Sequence, residues 1–317
     1  MLLRPRVLQR LGGAVMLSVI VTGLAFAKEE KKEKAPAGVA PLWVEPTDLT
    51  SRDLFYGVGG KSLAPQLGAS YAYVSADTTG HSKGYHVVGP DGRKWRIKLG
   101  DEAQSEIVVS RLLWAIGYYQ PALYYVEDWK LTGHDAGAVK PGRFRLSSDH
   151  ATEGEWAFDK NPFVGTRELH GLIAANLLLN NWDLAASNNR IYRVKAKHEA
   201  KLYYVAQDIG GALGATGLPI GSRNKIEDFE RQEYVRGVEH GRVKFDYHGR
   251  HRGLLEDITP ADVAWVCGLL ARLSDQQLHD AFRAADYQPA VADRYIAKIK
   301  EKIAQGVALN ATSEVPR

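Results

Sequence analysis

Asp183, Asn188 and Asp208 are the residues whose types and spacing best suit chemistry, and all three lie in one stretch, residues 177–213. An apolar helical pattern, Leu169, Ile173, Leu177 and Leu178, runs into a polar turn over 180–189. Two strand-like runs follow, 190–194 and 202–207, and the second ends on Asp208-Ile209-Gly210. Both acids and the amide therefore fall at the ends of packed elements, close enough in sequence to converge. Two carboxylates and an amide so placed can bind a hard divalent cation and orient a hydroxyl nucleophile.

The same stretch resembles the catalytic core of the atypical protein-kinase-like superfamily, in the manner of HipA-type, phosphatidylinositol-kinase-like and secretory-pathway kinases. Asp183 and Asn188 have the D-x-x-x-x-N spacing of a kinase catalytic loop, and Asp208-Ile209-Gly210 is similar to the D-F-G metal motif on the following hairpin. Asn181-Trp182 stands where the His-Arg of H-R-D would be, a departure from the pattern. Taken over residues 43–306, the resemblance implies an α+β, two-lobed protein-kinase-like fold with a small antiparallel β lobe and a mainly helical large lobe. It further implies ATP as phosphoryl donor and Mg²⁺ or Mn²⁺ as cofactor. Asp183 would be the catalytic base, and Asn188 and Asp208 the metal ligands.

The elements that must serve this site come earlier in the chain. Residues 70–75 alternate like a strand, 77–84 form a polar turn with two glycines, and 85–88 is strand-like again. Asp91-Gly92 is a hairpin signal, and 93–99 alternates once more. Three antiparallel strands follow from this, with the first turn free to cover a phosphate through the backbone of Thr79, Gly80 and Gly84 and the Ser82 hydroxyl. In the resembled families a third-strand lysine holds the phosphates, and by position Lys98 matches it. Lys94 and Arg96 share its pleat face, but Ile97 and Leu99 flank Lys98 with apolar neighbours. A helix fits 101–116, with Glu102 and Glu106 one turn apart on one face. Either acid suits pairing with Lys98. Glu106, beside the apolar stripe, is preferred as the third catalytic residue. A glycine cluster at 57–60 lies 38 residues before Lys98 and reads as a turn, with phosphate binding the alternative.

The 317 residues are 45% hydrophobic and 25% charged, ample for a buried core. Residues 1–27 have the form of a secretory signal: Arg4, Arg6 and Arg10, an apolar run over 11–24, and Ala25-Phe26-Ala27. A retained anchor is the alternative, although the run is short for a span. Removing the segment takes away three arginines and no acid, so the net charge of +4 falls to about +1. Net charge therefore gives no case for a nucleic-acid partner. Cys267, the only cysteine, excludes an intramolecular disulfide and Cys-rich zinc sites, and it lies on an apolar helical pattern.

The expected organisation is a leader (1–27), a flexible linker (28–41), an N-lobe (42–130), a C-lobe (131–306) and a frayed tail (307–317). Glu127-Asp128 is expected at the hinge between lobes, and 130–154, rich in Gly, His, Lys and Ser, reads as an insertion. Thr166 is a helix N-cap, Thr259-Pro260-Ala261-Asp262 a strong helix start, and Ser274 with Gln277 a capping box. His170 reads as a packed histidine. Residues 241–254 alternate basic and aromatic side chains, either as a surface hairpin or as a docking patch for an anionic substrate. The overall expectation is a periplasmic or secreted ATP-dependent phosphotransferase with no membrane span after leader removal. Its acceptor is a hydroxyl on a protein, lipid or glycan. A pseudokinase, an AMP transferase and a non-enzymatic envelope-binding module are the alternatives.

Overall fold

The computed structural model describes residues 38–78, 82–133, 139–147, 151–195, 200–218 and 220–312. The leader, most of the linker, Thr79 and Gly80 lie outside the described residues.

The three alternating runs form β1 (Ser70–Asp77), β2 (Gly84–Val88) and β3 (Lys94–Leu99), consecutive antiparallel neighbours. Helix α1 (Glu102–Ala115) follows, then β4 (Leu123–Val126), β5 (Lys130–Thr132) and β6 (Gly142–Leu146). Together these strands make a six-stranded sheet in the order β4-β6-β3-β2-β1-β5. Alternation gives the sheet two unlike faces. Trp95, Ile97, Tyr71, Tyr85, Val87, Tyr124 and Phe144 bury an aromatic core on one face. Its ring pairs include Tyr71–Phe144 and Trp129–Phe144, with centroids 5.1 and 5.2 Å apart in edge-on geometry. The other face carries Arg96 and Lys98 of β3 opposite Arg145 and Arg143 of β6.

Strand β6 corrects the reading of 130–154 as an insertion, because it lies between β4 and β3, so a lobe boundary at residue 130 would cut through the sheet. Gly-Arg-Phe-Arg-Leu does alternate. Gly142 leaves room for the neighbouring strand, since a Cβ there would come within 2.9 Å of the Ile97 and Leu99 side chains. Glu127 and Asp128 are likewise not at a hinge. They form the bend between β4 and β5, where Asp128 O accepts a 2.8 Å hydrogen bond from Gly68 N. The chain leaves the sheet only after Leu146.

The large lobe contains β7 (Ala151–Gly154), α2 (Arg167–Leu178), β8 (Asn189–Val194) and β9 (Lys201–Ala206), the three strands forming one sheet. Next come α3 (Ile226–Arg231), the hairpin β10 (Val235–Glu239) and β11 (Arg242–Phe245), then α4 (Pro260–Leu270), α5 (Asp275–Arg283) and α6 (Pro289–Thr312). The expected caps are present. Thr166 accepts from Leu169 N, and Thr259 with Asp262 and Ser274 with Gln277 form reciprocal capping boxes. His170 packs as expected, 2.9 Å from Asp262, tying α2 to α4. Helix α6 runs past Gly306, where the absent side chain lets the helix lie against Cys267 Sγ. Cys267 is a core thiol, pushed up to about 12 by burial. The glycines at 57–60 form a turn against α1: Arg111 donates to Leu54 O and Leu123 O, and Tyr124 donates to Gly60 O. Among the described residues, no helix is long and apolar enough to cross a membrane.

Candidate active site

Helix α2 delivers its C-terminus to a sharp reversal at Asn180, whose φ of 54° is a left-handed conformation that asparagine tolerates. The buried Asn181 then fixes the loop. Its amide donates to Asn176 Oδ1 at 2.8 Å and its Oδ1 accepts from Asp183 N at 3.1 Å. Trp182 donates from its backbone to Gly211 O and from its indole to Ser222 O, both at 3.1 Å. Asn181 and Trp182, which replace the His-Arg of the resembled motif, thus brace the loop by amide and indole contacts. Asn188 closes it by donating from Nδ2 to Asp183 O at 3.0 Å, leaving its Oδ1 as the ligand-competent atom.

Strand β9 runs out into Gln207 and Asp208, and Asp208 again has a left-handed φ, 51°. Backbone pairing carries this end to the loop, with Gln207 N donating to Asn188 O at 3.1 Å. Gly210 packs directly on α1, where a Cβ would lie 2.8 Å from Glu102 Cβ and from its carbonyl. Ser105 Oγ donates to Gly210 O at 2.7 Å. At Gly211 a Cβ would stand 3.1 Å from Asp183 Cβ, so the glycine pair brings the metal motif against both α1 and the loop.

The charged face of the sheet meets this motif. Lys98 Nζ lies 2.9 Å from Glu102, 3.5 Å from Glu106 and 3.7 Å from Asp208. Both candidate glutamates therefore reach Lys98, with the shallower one nearer. Glu106, only 1% exposed, is shared with the equally buried Arg143, whose Nε is 3.2 Å away. Arg143 and Arg145 also face Asp208, at 3.6 and 3.8 Å. Burial pushes the Asp208 carboxyl up, but Arg145, Lys98, Arg143 and Arg96 outweigh it and hold the group below the usual carboxylate range. Arg145 donates to Gln207 Oε1 at 3.1 Å, and Tyr192 donates to the same oxygen at 2.9 Å.

Of the phosphate-loop candidates, Ser82 donates to Glu102 at 3.3 Å, and Gly84 pairs with both Asp77 and Lys98 where no side chain would fit against Ile97 O. Arg223, on the segment after the metal motif, ion-pairs with Glu102 and lies 5.1 Å over the Trp182 ring. Behind Asp208 opens a cleft of about 600 Å³, lined by His86, Arg96, Arg145, Arg190, Tyr192 and Gln207 among others. Its size is that of a small-molecule site.

The reasoning from sequence did not find Arg143 and Arg145. The available signal was the period-two pattern of residues 142–146, the same pattern that placed Lys98. Among the described residues, no three His, Cys, Asp or Glu side chains cluster as a protein-only metal cage. Asp208 and the Asn188 amide oxygen fit a different arrangement. In it a Mg²⁺-sized ion takes one or two protein oxygens and the rest from phosphates and water.

No family model matches the sequence, and no curated protein is similar to it. Among solved structures, the chain is similar to the Helicobacter pylori proinflammatory kinase CtkA. The TM-score is 0.51 at 9% identity, over 78% of this chain and 98% of that one. At that identity the likeness speaks for architecture alone: the chain has a two-lobed, kinase-like α+β fold.

Proposed function

We propose that the protein is an ATP-dependent phosphotransferase acting on a hydroxyl acceptor. The observation that carries this reading is the convergence of Lys98, Glu106 and Asp208 in one ion-paired cluster, with the Asp183–Asn188 loop packed against the same metal motif through Gly211. Phosphoryl transfer depends mainly on positioning and charge neutralisation, and this cluster provides both. Lys98, oriented by the two glutamates, contacts phosphate oxygens. Asp208 and Asn188 hold Mg²⁺ or Mn²⁺, which supplies charge neutralisation to the phosphates. Asp183 accepts the proton of the acceptor hydroxyl. The hairpin turn containing Ser82 and Gly84 covers the phosphates. The similar solved structure is that of a kinase, which is in keeping with this chemistry as fold-level analogy.

A periplasmic or secreted location is supported by residues 1–27, which combine a positive start, an apolar run and an A-x-A site. An N-terminus at Lys28 in the native protein, read by mass spectrometry, checks this.

One observation favours a second reading, transfer of AMP from the same ATP. The cleft behind Asp208 is lined by Arg96, Arg145 and Arg190, and although each already faces an acid (Asp77, Asp208 and Glu155), their guanidinium forks suit a polyphosphate end. Incubation of the full chain with an envelope extract and ATP labelled at either the γ or the α position separates the two. Transfer of the γ label supports phosphotransfer, and transfer of the α label supports nucleotidyl transfer. If neither label moves and Mg²⁺-ATP leaves the thermal midpoint unchanged, both readings fail, since a ligand of the native state must raise that midpoint.

A further inference from the structure

Two protrusions are anchored on Trp182, the neighbour of Asp183. The first is a tip whose base is closed by Ser222 N donating to Ala215 O at 2.9 Å and by Ala215 N donating to Ser222 Oγ at 2.8 Å. Gly221 packs on the Trp182 ring, and the indole donates to Ser222 O. The tip presents Leu218 and Ile220, 59% and 62% exposed. The second protrusion is the loop after β11, residues 246–252. Its Tyr247 is buried, donates to Arg250 O at 2.7 Å and lies 3.2 Å from Trp182 O. Burial raises the Tyr247 hydroxyl well above its ordinary value, Asp183 raises it further and Arg252 opposes, so the hydroxyl lies in the field of both groups. Gly249 leaves the space that the Tyr247 ring occupies. His248 N donates to Thr216 Oγ1 at 3.0 Å, which joins the two protrusions to each other.

The loop therefore holds Arg250, His251 and Arg252, three consecutive exposed residues, on a braced frame beside the proposed catalytic base. Among the described residues, neither Arg250 nor Arg252 makes an ion pair. The nearby Asp246 is already engaged by Arg236 and His248, while Glu256 and Asp257 follow further along the chain. Guanidinium forks in this setting match carboxylates in geometry and steer an anionic partner toward the site.

We propose that these protrusions form the acceptor-docking surface of the phosphotransferase, and that the acceptor is an acidic polypeptide segment. Its hydroxyl residue lies between carboxylates that meet Arg250, His251 and Arg252 and apolar side chains that meet Leu218 and Ile220. The assignment to an acceptor rests on the phosphotransferase reading. The docking surface itself rests on geometry and is tested without nucleotide. A polypeptide is favoured over a lipid headgroup because the surface joins a cationic ledge to a separate apolar ledge, both held on Trp182 and tied to each other through His248 N and Thr216 Oγ1. A headgroup would use only the first.

The test is fluorescence anisotropy of the full chain with a labelled peptide in which serine separates a Glu/Asp half from a Leu/Val half. A control peptide carries Lys in place of the acids. The acidic peptide should bind on the order of tenfold more tightly than the control and weaken as salt is added. The Arg250→Glu/Arg252→Glu variant should lose or invert that preference, and Leu218→Asp should weaken both peptides. Thermal melts establish that the variants fold. If the double reversal does not fold, Arg250→Gln/Arg252→Gln makes the same test. Equal binding of the two peptides overturns the proposal. So does a preference for phosphatidylserine vesicles over the acidic peptide, which would assign the patch to a membrane surface. Peptide binding with no thermal response to Mg²⁺-ATP would leave the docking surface standing and remove the phosphotransferase reading.

Discussion

The two halves of the candidate site are built by different means. On the sheet side, Lys98, Glu102, Glu106, Arg143 and Arg145 are fixed to one another and to Asp208 by side-chain ion pairs, and Glu106 and Arg143 are almost wholly buried. On the loop side, Asp183 and Asn188 take their places from main-chain and amide hydrogen bonds at 3.0–3.1 Å. On the phosphotransferase reading, charges on the sheet side serve both the fold and the binding of ligand, whereas Asp183 holds the loop only through its backbone and acts only when a proton moves. Substitutions in the two halves should accordingly separate chemistry from stability.

The largest effect expected is on chemistry. Asp183→Asn keeps the backbone bonds of the loop, because those use Asp183 N and Asp183 O. It removes the proposed base, so turnover should fall on the order of 10²–10⁴-fold, the usual contribution of a positioned acid or base. Binding of Mg²⁺-ATP, followed by calorimetry, should change little. Full transfer activity in this variant would refute the assignment of Asp183.

On the sheet side the expected effect is on stability. Arg143→Met leaves Glu106 buried with one of its two cations gone, and breaking a buried pair from one end costs about 3–5 kcal/mol. Pairing it with Glu106→Gln should return a large part of that loss, because the orphaned charge goes as well. Urea denaturation of the two single variants and the double variant makes the cycle. Additive losses would show that Arg143 and Glu106 are not coupled and that the sheet side is held by packing instead.

The same contrast explains what the sequence disclosed. The loop side was legible because its signals are local: a helix running out, a polar turn, and an acid at the end of an apolar strand. Lys98 was legible because Ile97 and Leu99 flank it. Arg143 and Arg145 were not, for two reasons. A strand rich in arginine reads as solvated unless its neighbours are known. Moreover, β6 joins β3 across more than forty residues, so its burial is a property of the sheet's order and not of the segment. The lobe boundary was misplaced for the same reason, since the Gly, His, Lys and Ser around β6 resemble a loop. The preference for Glu106 over Glu102 rests on the apolar stripe alone; both lie on the same helical face, and the structure brings both to Lys98, Glu102 at 2.9 Å and Glu106 at 3.5 Å.

Acid should expose the sheet side through Asp208. Its folded carboxyl is held below the ordinary value near 3.9 by the surrounding cations. Ionised Asp208 therefore contributes stability that is fully present above that value and is lost as pH falls through the lower folded value. Denaturation midpoints of the parent and Asp208→Asn should differ at neutral pH and converge as pH falls through the lowered folded value. A constant difference across that range would mean that the carboxylate charge is not what the cations stabilise.

The smallest effect concerns the joint between the halves. Ser105, in α1, donates to Gly210 O at 2.7 Å in a buried setting, and it is the side-chain hydrogen bond linking the helix of Glu102 and Glu106 to the metal motif. Ser105→Ala removes the donor with almost no change in volume. The expected loss of stability is about 1 kcal/mol, the net worth of one such bond plus part of the desolvation of the carbonyl left behind. If the bond serves only the fold, Mg²⁺-ATP affinity should be unchanged once the stability loss is allowed for. If it also sets the distance between Lys98 and Asp208, affinity should fall by a few-fold while the effect of Asp183→Asn on turnover stays the same in the Ser105→Ala background. That second result would show the two halves to be joined in binding yet independent in chemistry. A changed effect of Asp183→Asn would instead show that α1 governs the catalytic loop as well, and the separation drawn between the halves would fail.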